Sequence, residues 1–409
     1  MLPAIVVVAF NRPHALKRIL QSIVDADYSG YSGINLIISI DAGGEDEIGI
    51  MAEQFQWDHG LKRIIKYENN LGLREHILAC GNLTGEYENV IILEDDSFVS
   101  RNFYDYACQA LDFYQAGPKI AGISLYAYQI NENALLPFNP LIDGYAAYFM
   151  QVPSSLGQVW TNMQWKEFKL FYLNDHIIHD EDKLPENVKK WPESSWKKYY
   201  YKYMVAKDLY FVYPTFSFVT NFGETGTHFA QSTSIYQVPL ETRDHKIKYS
   251  FVEFNKGFNK YDAYLEILPE CLTHYGVPIT ESTGIDIFGT KQLSLFDYEH
   301  VYSIKECTQP IKSYAVVMLP ILLNVINNIP GNTIHFAMKD HFISEVSGSK
   351  NNIIKNFQSL GYEYGVSSGS RAANLTIMKS TSYKIGNNLL HPKRFIKKLF
   401  GKLSKISKR

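Results

Sequence analysis

Three consecutive carboxylates, Glu94, Asp95 and Asp96, follow the apolar segment 89–93. Adjacent carboxylates repel one another, so three in a row need a cation or a network of hydrogen-bond donors to offset their charge. Carboxylate oxygens are ligands that Mg²⁺ and similar ions prefer, and such ions often bind substrate phosphates at the same time. We therefore interpret the triplet as a divalent-metal site for a diphosphate. The alternative is a solvated acidic turn.

Further polar residues follow other apolar segments. Asp41 comes after segment 35–40 and precedes Ala42-Gly43-Gly44, where the backbone can approach a ligand closely. Arg12 stands at the start of a predicted helix, where a guanidinium and free backbone amides suit a phosphate. Arg74, at the end of segment 69–74, is a similar candidate. The alternatives are a turn or capping role for Asp41 and plain solvent exposure for the two arginines.

The elements that position these residues are predicted from apolar patterning. Segments 4–10, 35–40 and 89–93 are almost continuously apolar, which is typical of strands buried on both faces in a parallel α/β sheet. After the first segment, Asn11 is a candidate helix cap and Pro13 suits a first helical turn. Ligands of such sheets bind beyond the carboxyl ends of the strands. The sequence therefore predicts an α/β fold with a mostly parallel sheet, flanking helices and one polar site at that edge.

Four segments, in order, resemble the nucleotide-sugar-binding half of GT-A glycosyltransferases. They read AIVVVAFNRPHALKRILQSI, LIISIDAGGED, YENNLGLREHIL and VIILEDDSFVSRNFYDYACQALDFY. Within the Rossmann-like GT-A fold, the similarity is closest to the N-acetylglucosaminyltransferase I type and its family 2-like bacterial relatives, whose metal-binding DXD motif is written EDD. Segments 154–160, 189–196 and 213–229 resemble acceptor-side segments of that group. The resemblance spans roughly residues 4–235 and implies a metal-dependent enzyme that uses a nucleotide sugar.

The resemblance also implies roles for individual residues. Asn11 and Arg12 would contact the nucleotide and diphosphate, and Asp41 would contact the uracil or ribose. Glu94 and Asp95 would lie near the ribose. Asp96 would bind the metal, and His228 would be a second metal ligand. For a single histidine, a structural role is the alternative. The implied cofactors are Mn²⁺ or Mg²⁺ and a donor that is most often UDP-linked.

The sequence departs from this group at the general base. Inverting members carry an aspartate after the tryptophan of the W-P…W segment, whereas Trp196 is followed here by Lys197 and Lys198. A protonated lysine cannot remove a proton unless its pKa falls by several units. Either the alignment shifts locally and Glu193 or another carboxylate serves as the base, or the acceptor geometry differs. Glu193 is the candidate catalytic base. Trp160 and Trp196 are candidate stacking platforms for a sugar, with core packing as the alternative.

Composition limits the class of protein. The 409 residues are 46% hydrophobic and 20% charged, which excludes disordered, collagen-like and coiled-coil chains. Four widely spaced cysteines do not form a disulfide or zinc pattern and favour a reducing cytoplasm. We see neither a signal peptide nor a membrane span, since the apolar run 315–326 is too short. The predicted divisions are a GT-A domain (1–240), a connecting extension (241–309), a small α/β domain (310–388) and a basic amphipathic tail (389–409).

The net charge of −2 is the sum of a basic tail and an acidic body. Eight lysines and arginines and no acids lie in 393–409, so the preceding residues hold 32 basic against 42 acidic side chains. Apolar residues recur in the tail at helical spacing, which indicates an interfacial helix on an anionic membrane surface. A helix packed on the body or a solubilising tail are the alternatives. Nucleic acid is disfavoured as a partner because the body is acidic.

These observations together predict a glycosyltransferase peripheral to the inner face of the cell membrane. Its acceptor would be a glycan, lipid-linked, in the synthesis of lipopolysaccharide or capsule. Two rival hypotheses remain at this point: a nucleotidyltransferase that makes a nucleotide sugar, and a non-catalytic sugar-binding module at the membrane surface.

Overall fold

A computed structural model describes residues 1–224 and 234–343. The chain divides into two units, 1–354 and 355–409, and all the described residues belong to the first. His228, residues 344–388 of the predicted small domain, and the tail 389–409 lie outside the described residues. The role of His228 and the nature of the tail therefore stay predictions.

The strands of the described residues are short and mostly buried. In chain order they are β1 (Ala4–Ala9), β2 (Leu36–Ile40), β3 (Lys62–Lys66), β4 (Asn89–Glu94), β5 (Ser97–Val99), β6 (Ile120–Ser124), β7 (Ile130–Asn131), β8 (Leu136–Pro137), β9 (Ala147–Met150), β10 (Gln158–Thr161), β11 (Tyr210–Pro214), β12 (Val219–Asn221), β13 (Lys260–Tyr261), β14 (Thr283–Asp286), β15 (His300–Ser303), β16 (Lys312–Tyr314) and β17 (Ile334–Met338).

Helices alternate with the first strands and become sparser towards residue 343. They are α1 (Pro13–Val24), α2 (Asp46–Gln54), α3 (Gly72–Asn82), α4 (Thr84–Tyr87), α5 (Phe103–Tyr114), α6 (Asn162–Asn174), α7 (Glu186–Lys189), α8 (Trp196–Lys207), α9 (Pro269–Thr273) and α10 (Leu323–Ile326), with short 3₁₀ turns at Leu293–Leu295 and Lys339–His341.

A nine-stranded sheet forms the centre of the described structure. Its order is β13-β9-β11-β6-β10-β4-β1-β2-β3. At one end of the sheet, β4 pairs parallel with β1, β1 with β2, and β2 with β3. Strand β10 runs antiparallel to both β4 and β6. The predicted α/β class, with a mostly parallel sheet and flanking helices, is confirmed.

The first strand and helix follow from their sequences. All six residues of β1 are buried, as are the five of β2, because helices cover the sheet on both faces. Pro13 is the first residue of α1, which buries Leu16, Ile19 and Ile23 on one face. The predicted cap is wrong: the residue before the helix is Arg12, and its side chain makes no capping hydrogen bond. Asn11 precedes Arg12 in the chain, has an exposed side chain and does not cap the helix.

A second, four-stranded sheet has the order β14-β15-β17-β16. Its strands come from both the predicted extension (241–309) and the predicted small domain (310–388). Within 1–224 and 234–343, none of the helices has the length and apolar content that crossing a membrane requires.

Candidate functional site

The acidic triplet lies at the carboxyl end of β4, next to the end of β1. Glu94 is the last residue of β4 and pairs in register with Val8, and the Asp95 amide donates to the Val8 carbonyl at 3.1 Å. The chain leaves β1 at the same edge and continues into α1 through Arg12. The parallel pairing of β1 and β4 therefore brings Arg12 and the carboxylates together, as the sequence predicts.

Arg12 bridges two of the three carboxylates. Its Nη1 donates to Asp96 Oδ2 at 2.9 Å, and its Nη2 donates to Asp95 Oδ1. The side chains of Asp95 and Asp96 are only 5% and 15% exposed. Burial tends to lower the pKa of Arg12, but the two carboxylates outweigh it and raise that pKa above its ordinary value. The guanidinium thus remains a permanent cation in this site.

One guanidinium does not balance three carboxylates. Burial, together with the charges of Asp96 and Asp95, raises the pKa of Glu94 to about 8, although Arg12 and Lys197 lower it. Burial also raises the pKa of Asp95 to about 6 against the opposing effect of Arg12. Full ionisation of the triplet is therefore unfavourable by itself, and a cation bound there would offset its negative charge.

Asn221 is a site residue that the sequence analysis did not identify. Strand β12 pairs antiparallel with β5, directly after the triplet, and places Asn221 opposite Ser97. The Asn221 Nδ2 donates to Asp96 Oδ1 at 2.9 Å, and the Phe222 amide donates to the Asp96 carbonyl at 2.9 Å. Asn221 lies within segment 213–229, so the resemblance of that segment was the available signal.

Asp41 is engaged by the backbone. It follows β2, is 5% exposed, and accepts hydrogen bonds from the amides of Ala42 (2.9 Å), Leu71 (2.8 Å) and Gly72 (3.0 Å). It thereby fixes the start of α3 to the end of β2, which is the structural alternative considered above. The following turn is tight, because a Cβ at Gly44 would lie 1.8 Å from the Phe10 carbonyl oxygen. A direct contact of Asp41 with nucleotide stays a prediction.

Arg74 and Glu193 contact each other, away from the carboxylates. The Nη1 of Arg74 donates to the Glu193 carbonyl at 2.6 Å, and its Nε donates to Glu75 at 3.0 Å. The Glu193 side chain is exposed and accepts from the Tyr199 hydroxyl at 3.3 Å. Among the described residues, neither Arg74 nor Glu193 hydrogen-bonds to the triplet. The catalytic role of Glu193 gains no support from this geometry and stays a prediction.

The tryptophans predicted as sugar platforms are core residues. Trp160 and Trp196 are 0% and 2% exposed. The Trp160 ring stacks on Tyr200 with 5.4 Å between ring centroids and meets Trp196 edge-on at the same distance. No face of either indole is open to a sugar, so the platform hypothesis is wrong and the packing alternative holds.

The donor set fits a divalent cation when a substrate supplies further ligands. Within the described ranges, no group of three or more histidine, cysteine, aspartate and glutamate side chains is arranged to hold a metal by itself. Mg²⁺-type ions, however, are commonly bound by one or two carboxylates together with substrate phosphates. Asp96 and Glu94 carry such oxygens, and a cation would offset the mutual repulsion of the carboxylates in the triplet.

Comparison with known proteins gives matches among solved structures. No protein-family model and no curated protein matches the sequence. S. aureus TarS 1–349 in complex with UDP-GlcNAc aligns over 53% of this chain and 57% of its own, with 12% identity and a TM-score of 0.35. GalNAc-T7 with UDP, GalNAc and Mn²⁺ aligns over 53% of this chain and 43% of its own, with 13% identity and a TM-score of 0.35.

A third match is the mannosyltransferase PcManGT from Pyrobaculum calidifontis in complex with GDP-Man and Mn²⁺. It aligns over 42% of this chain and 47% of its own, with 12% identity and a TM-score of 0.29. The alignments thus cover about half of each matched protein. At these identities and TM-scores, function has to be argued from the site itself.

Proposed function

We propose that this chain is a metal-dependent glycosyltransferase that transfers a sugar from a nucleotide diphosphate sugar, most simply a UDP-sugar, to a glycan acceptor. The observation that carries the proposal is the Arg12–Asp95–Asp96 cluster with Glu94 beside it at the carboxyl ends of β1 and β4. Ligands of open α/β sheets bind at this edge. The cluster offers both an anion-binding guanidinium and cation-binding carboxylates, which a metal–diphosphate pair requires.

The residues of the cluster divide the work of donor binding. Asp96, with Glu94 next to it, would hold the cation, which when bound screens the diphosphate charge and favours departure of the nucleotide. Arg12, at the start of α1, would bind the diphosphate, because its fixed charge and planar donors suit phosphate oxygens. Asn221 keeps the Asp96 carboxylate in place through its 2.9 Å hydrogen bond.

The finer parts of the proposal concern the acceptor and the location. The eight basic residues of 393–409 support attachment to an anionic membrane surface, at about 1 kcal/mol for each basic residue near the surface. A membrane-attached enzyme of this class would act on a lipid-linked glycan. We therefore place the protein on the inner face of the cell membrane, in the synthesis of a surface polysaccharide such as lipopolysaccharide or capsule.

The test combines binding and product analysis. Thermal unfolding with a panel of nucleoside diphosphates and nucleotide sugars, with and without Mn²⁺, should show stabilisation only when metal and the correct nucleotide are both present. Asp96→Asn should abolish that stabilisation. Asp112→Asn, the same change at an exposed position of α5, should leave it intact.

Product analysis separates the rival functions. Turnover should release a nucleoside diphosphate. Release of pyrophosphate would identify a nucleotidyltransferase, and binding of UDP without any turnover, on acceptor extracts or on water, would indicate a binding module. Unchanged metal-dependent binding by Asp96→Asn would refute the proposed site.

A further inference from the structure

Lys197 occupies the position where the resembling enzymes carry a base, but its contacts are those of a cation. Its Nζ donates to the Tyr128 hydroxyl at 2.9 Å and lies 3.3 Å from Glu132 Oε1. It also lies 5.5 Å from the centre of the Trp191 ring. An ammonium with these partners donates hydrogen bonds and has no lone pair with which to accept a proton. The carboxylate beside it does.

Glu132 lies among tyrosines rather than in bulk solvent. Burial raises the pKa of Tyr126, Tyr128 and Tyr201, and the charge of Glu132 raises it further. For Tyr236 the charge of Glu132 is the larger cause of a raised pKa, followed by burial. The Tyr126 hydroxyl is buried and has no hydrogen-bond partner among the described residues. The Glu132 side chain itself is 16% exposed, so solvent or a ligand can reach it. Tyr126, Tyr128 and Tyr201 are buried, so the Glu132 carboxylate is the group here that a ligand hydroxyl can reach.

The segment that carries Glu132 is held firmly. Asn131, which is fully buried, donates through Nδ2 to the Tyr264 carbonyl at 3.0 Å. Its Oδ1 accepts from the amides of Asn133 (2.9 Å) and Ala134 (3.2 Å). All the hydrogen bonds of this side chain are made within the protein, so the backbone at Glu132 is fixed before any ligand binds. Such preorganisation is what a catalytic side chain requires.

The chain segments that carry Glu132 and the carboxylate triplet leave the sheet at the same edge. Strand β10 is antiparallel to both β4 and β6, so β4 and β6 run in the same direction. The triplet follows β4, and residues 125–132 follow β6. Since only β10 separates the two strands, their axes lie about 10 Å apart. Burial raises the pKa of Glu94, and the charge of Lys197 is among the opposing effects that lower it.

We propose that Glu132 is the catalytic base that removes the proton from the acceptor hydroxyl, with Lys197 and Tyr128 as positioning residues. The inference rests on the proposed glycosyltransferase function. In the reaction, the acceptor oxygen forms a bond to the anomeric carbon of the donor sugar while the bond from that carbon to the diphosphate oxygen breaks. The hydroxyl proton passes to Glu132, and the bonding electron pair leaves with the nucleoside diphosphate.

The test uses the full-length protein and two measurements. Release of UDP from UDP-hexoses, with water or an acceptor extract, reports turnover, and calorimetric titration with UDP and Mn²⁺ reports donor-site binding. Glu132→Gln, which keeps the size and can still accept from Lys197, should lower turnover by about 100-fold or more. Its affinity for UDP should equal that of the wild type. Glu132→Asp should regain part of the rate, and Glu181→Gln, an exposed matched control, should behave as wild type.

Each outcome is decisive. Loss of turnover in Glu132→Gln with intact UDP binding, and loss of the acidic limb of its pH–rate profile, supports the proposal. Wild-type turnover in Glu132→Gln overturns it while the glycosyltransferase function stands. A large loss in Glu193→Gln without one in Glu132→Gln transfers the role to Glu193. If the wild type does not bind UDP, or binds UDP but shows no turnover, the proposed function and the role of Glu132 both fail.

Discussion

Replacement of Arg12 by methionine tests the electrostatic account of the site directly. At an effective dielectric constant of 20, unit charges about 4 Å apart attract by about 4 kcal/mol, and Arg12 forms two such pairs. Desolvation offsets much of this gain. Removing one partner of a buried ion pair costs about 3–5 kcal/mol, whereas an exposed pair contributes about 1 kcal/mol or less. Because the Arg12 side chain is 25% exposed, we expect a loss of about 3 kcal/mol.

The assay is urea unfolding at pH 7.5 without metal, in which the unfolding midpoint should fall while the m-value stays constant. The control is Arg63→Met, which removes an ion pair with Glu86 whose side chains are 48% and 55% exposed. That variant should lose about 1 kcal/mol or less. The comparison separates the effect of the acidic cluster from the general effect of losing an arginine.

Metal should reverse part of the loss in Arg12→Met. Without the guanidinium, Asp95 and Asp96 are free to bind a cation, so Mn²⁺ should stabilise the variant more than the wild type. A tenfold higher affinity corresponds to about 1.4 kcal/mol of additional stabilisation at saturating metal. Equal stabilisation of both proteins by Mn²⁺, or a loss no larger than that of Arg63→Met, would refute this account of the cluster.

Two further predictions concern the support of the site. Asp41→Asn replaces a carboxylate that accepts hydrogen bonds from three backbone amides with a group that has only one acceptor oxygen. The free energy of unfolding, measured by urea titration, should therefore fall by about 2 kcal/mol. An unchanged unfolding midpoint would contradict the anchoring role. Burial lowers the pKa of His76, whose Nε2 lies 2.8 Å from Ser39 Oγ. Below pH 6.5 the folded protein therefore binds fewer protons than the unfolded chain, so the free energy of unfolding should fall as the pH drops through 6.5. His76→Leu should show a smaller loss between pH 7 and pH 5, and parallel losses in the two proteins would rule out this histidine as the cause.

The parts of the fold that could be predicted from the sequence are those with a strong local pattern. Strands predicted at 4–10, 35–40 and 89–93 are found at Ala4–Ala9, Leu36–Ile40 and Asn89–Glu94. Continuous apolar runs can be buried on both faces only in a covered sheet, and parallel pairing then aligns their carboxyl ends. The proximity of Arg12 to the acidic triplet follows from that alignment and needed no further information.

The parts that could not be predicted depend on long-range pairing. Asn221 reaches Asp96 from 125 positions away, through a three-residue strand without a distinctive pattern. Glu132 meets Lys197 across 65 positions, through an irregular segment that follows β6. Neither residue has local periodicity that would mark it. The aromatic stretch around Trp160 was ambiguous for another reason: an indole suits a sugar face and a protein core equally, and only the burial of the ring decides between them.

Stability alone does not explain three carboxylates at the end of β4. Burial raises the pKa of Glu94 and Asp95 in the folded protein above that in the unfolded chain, so burying these two carboxyl groups lowers the free energy of unfolding at neutral pH. Neutral side chains of similar size at the end of β4 would remove this cost, and buried ion pairs generally add little over apolar packing. Strained or electrostatically unfavourable groups concentrate at functional sites, where a ligand relieves them. Under the proposed function, a divalent cation would supply the missing positive charge, and Arg12 would then be available to a diphosphate.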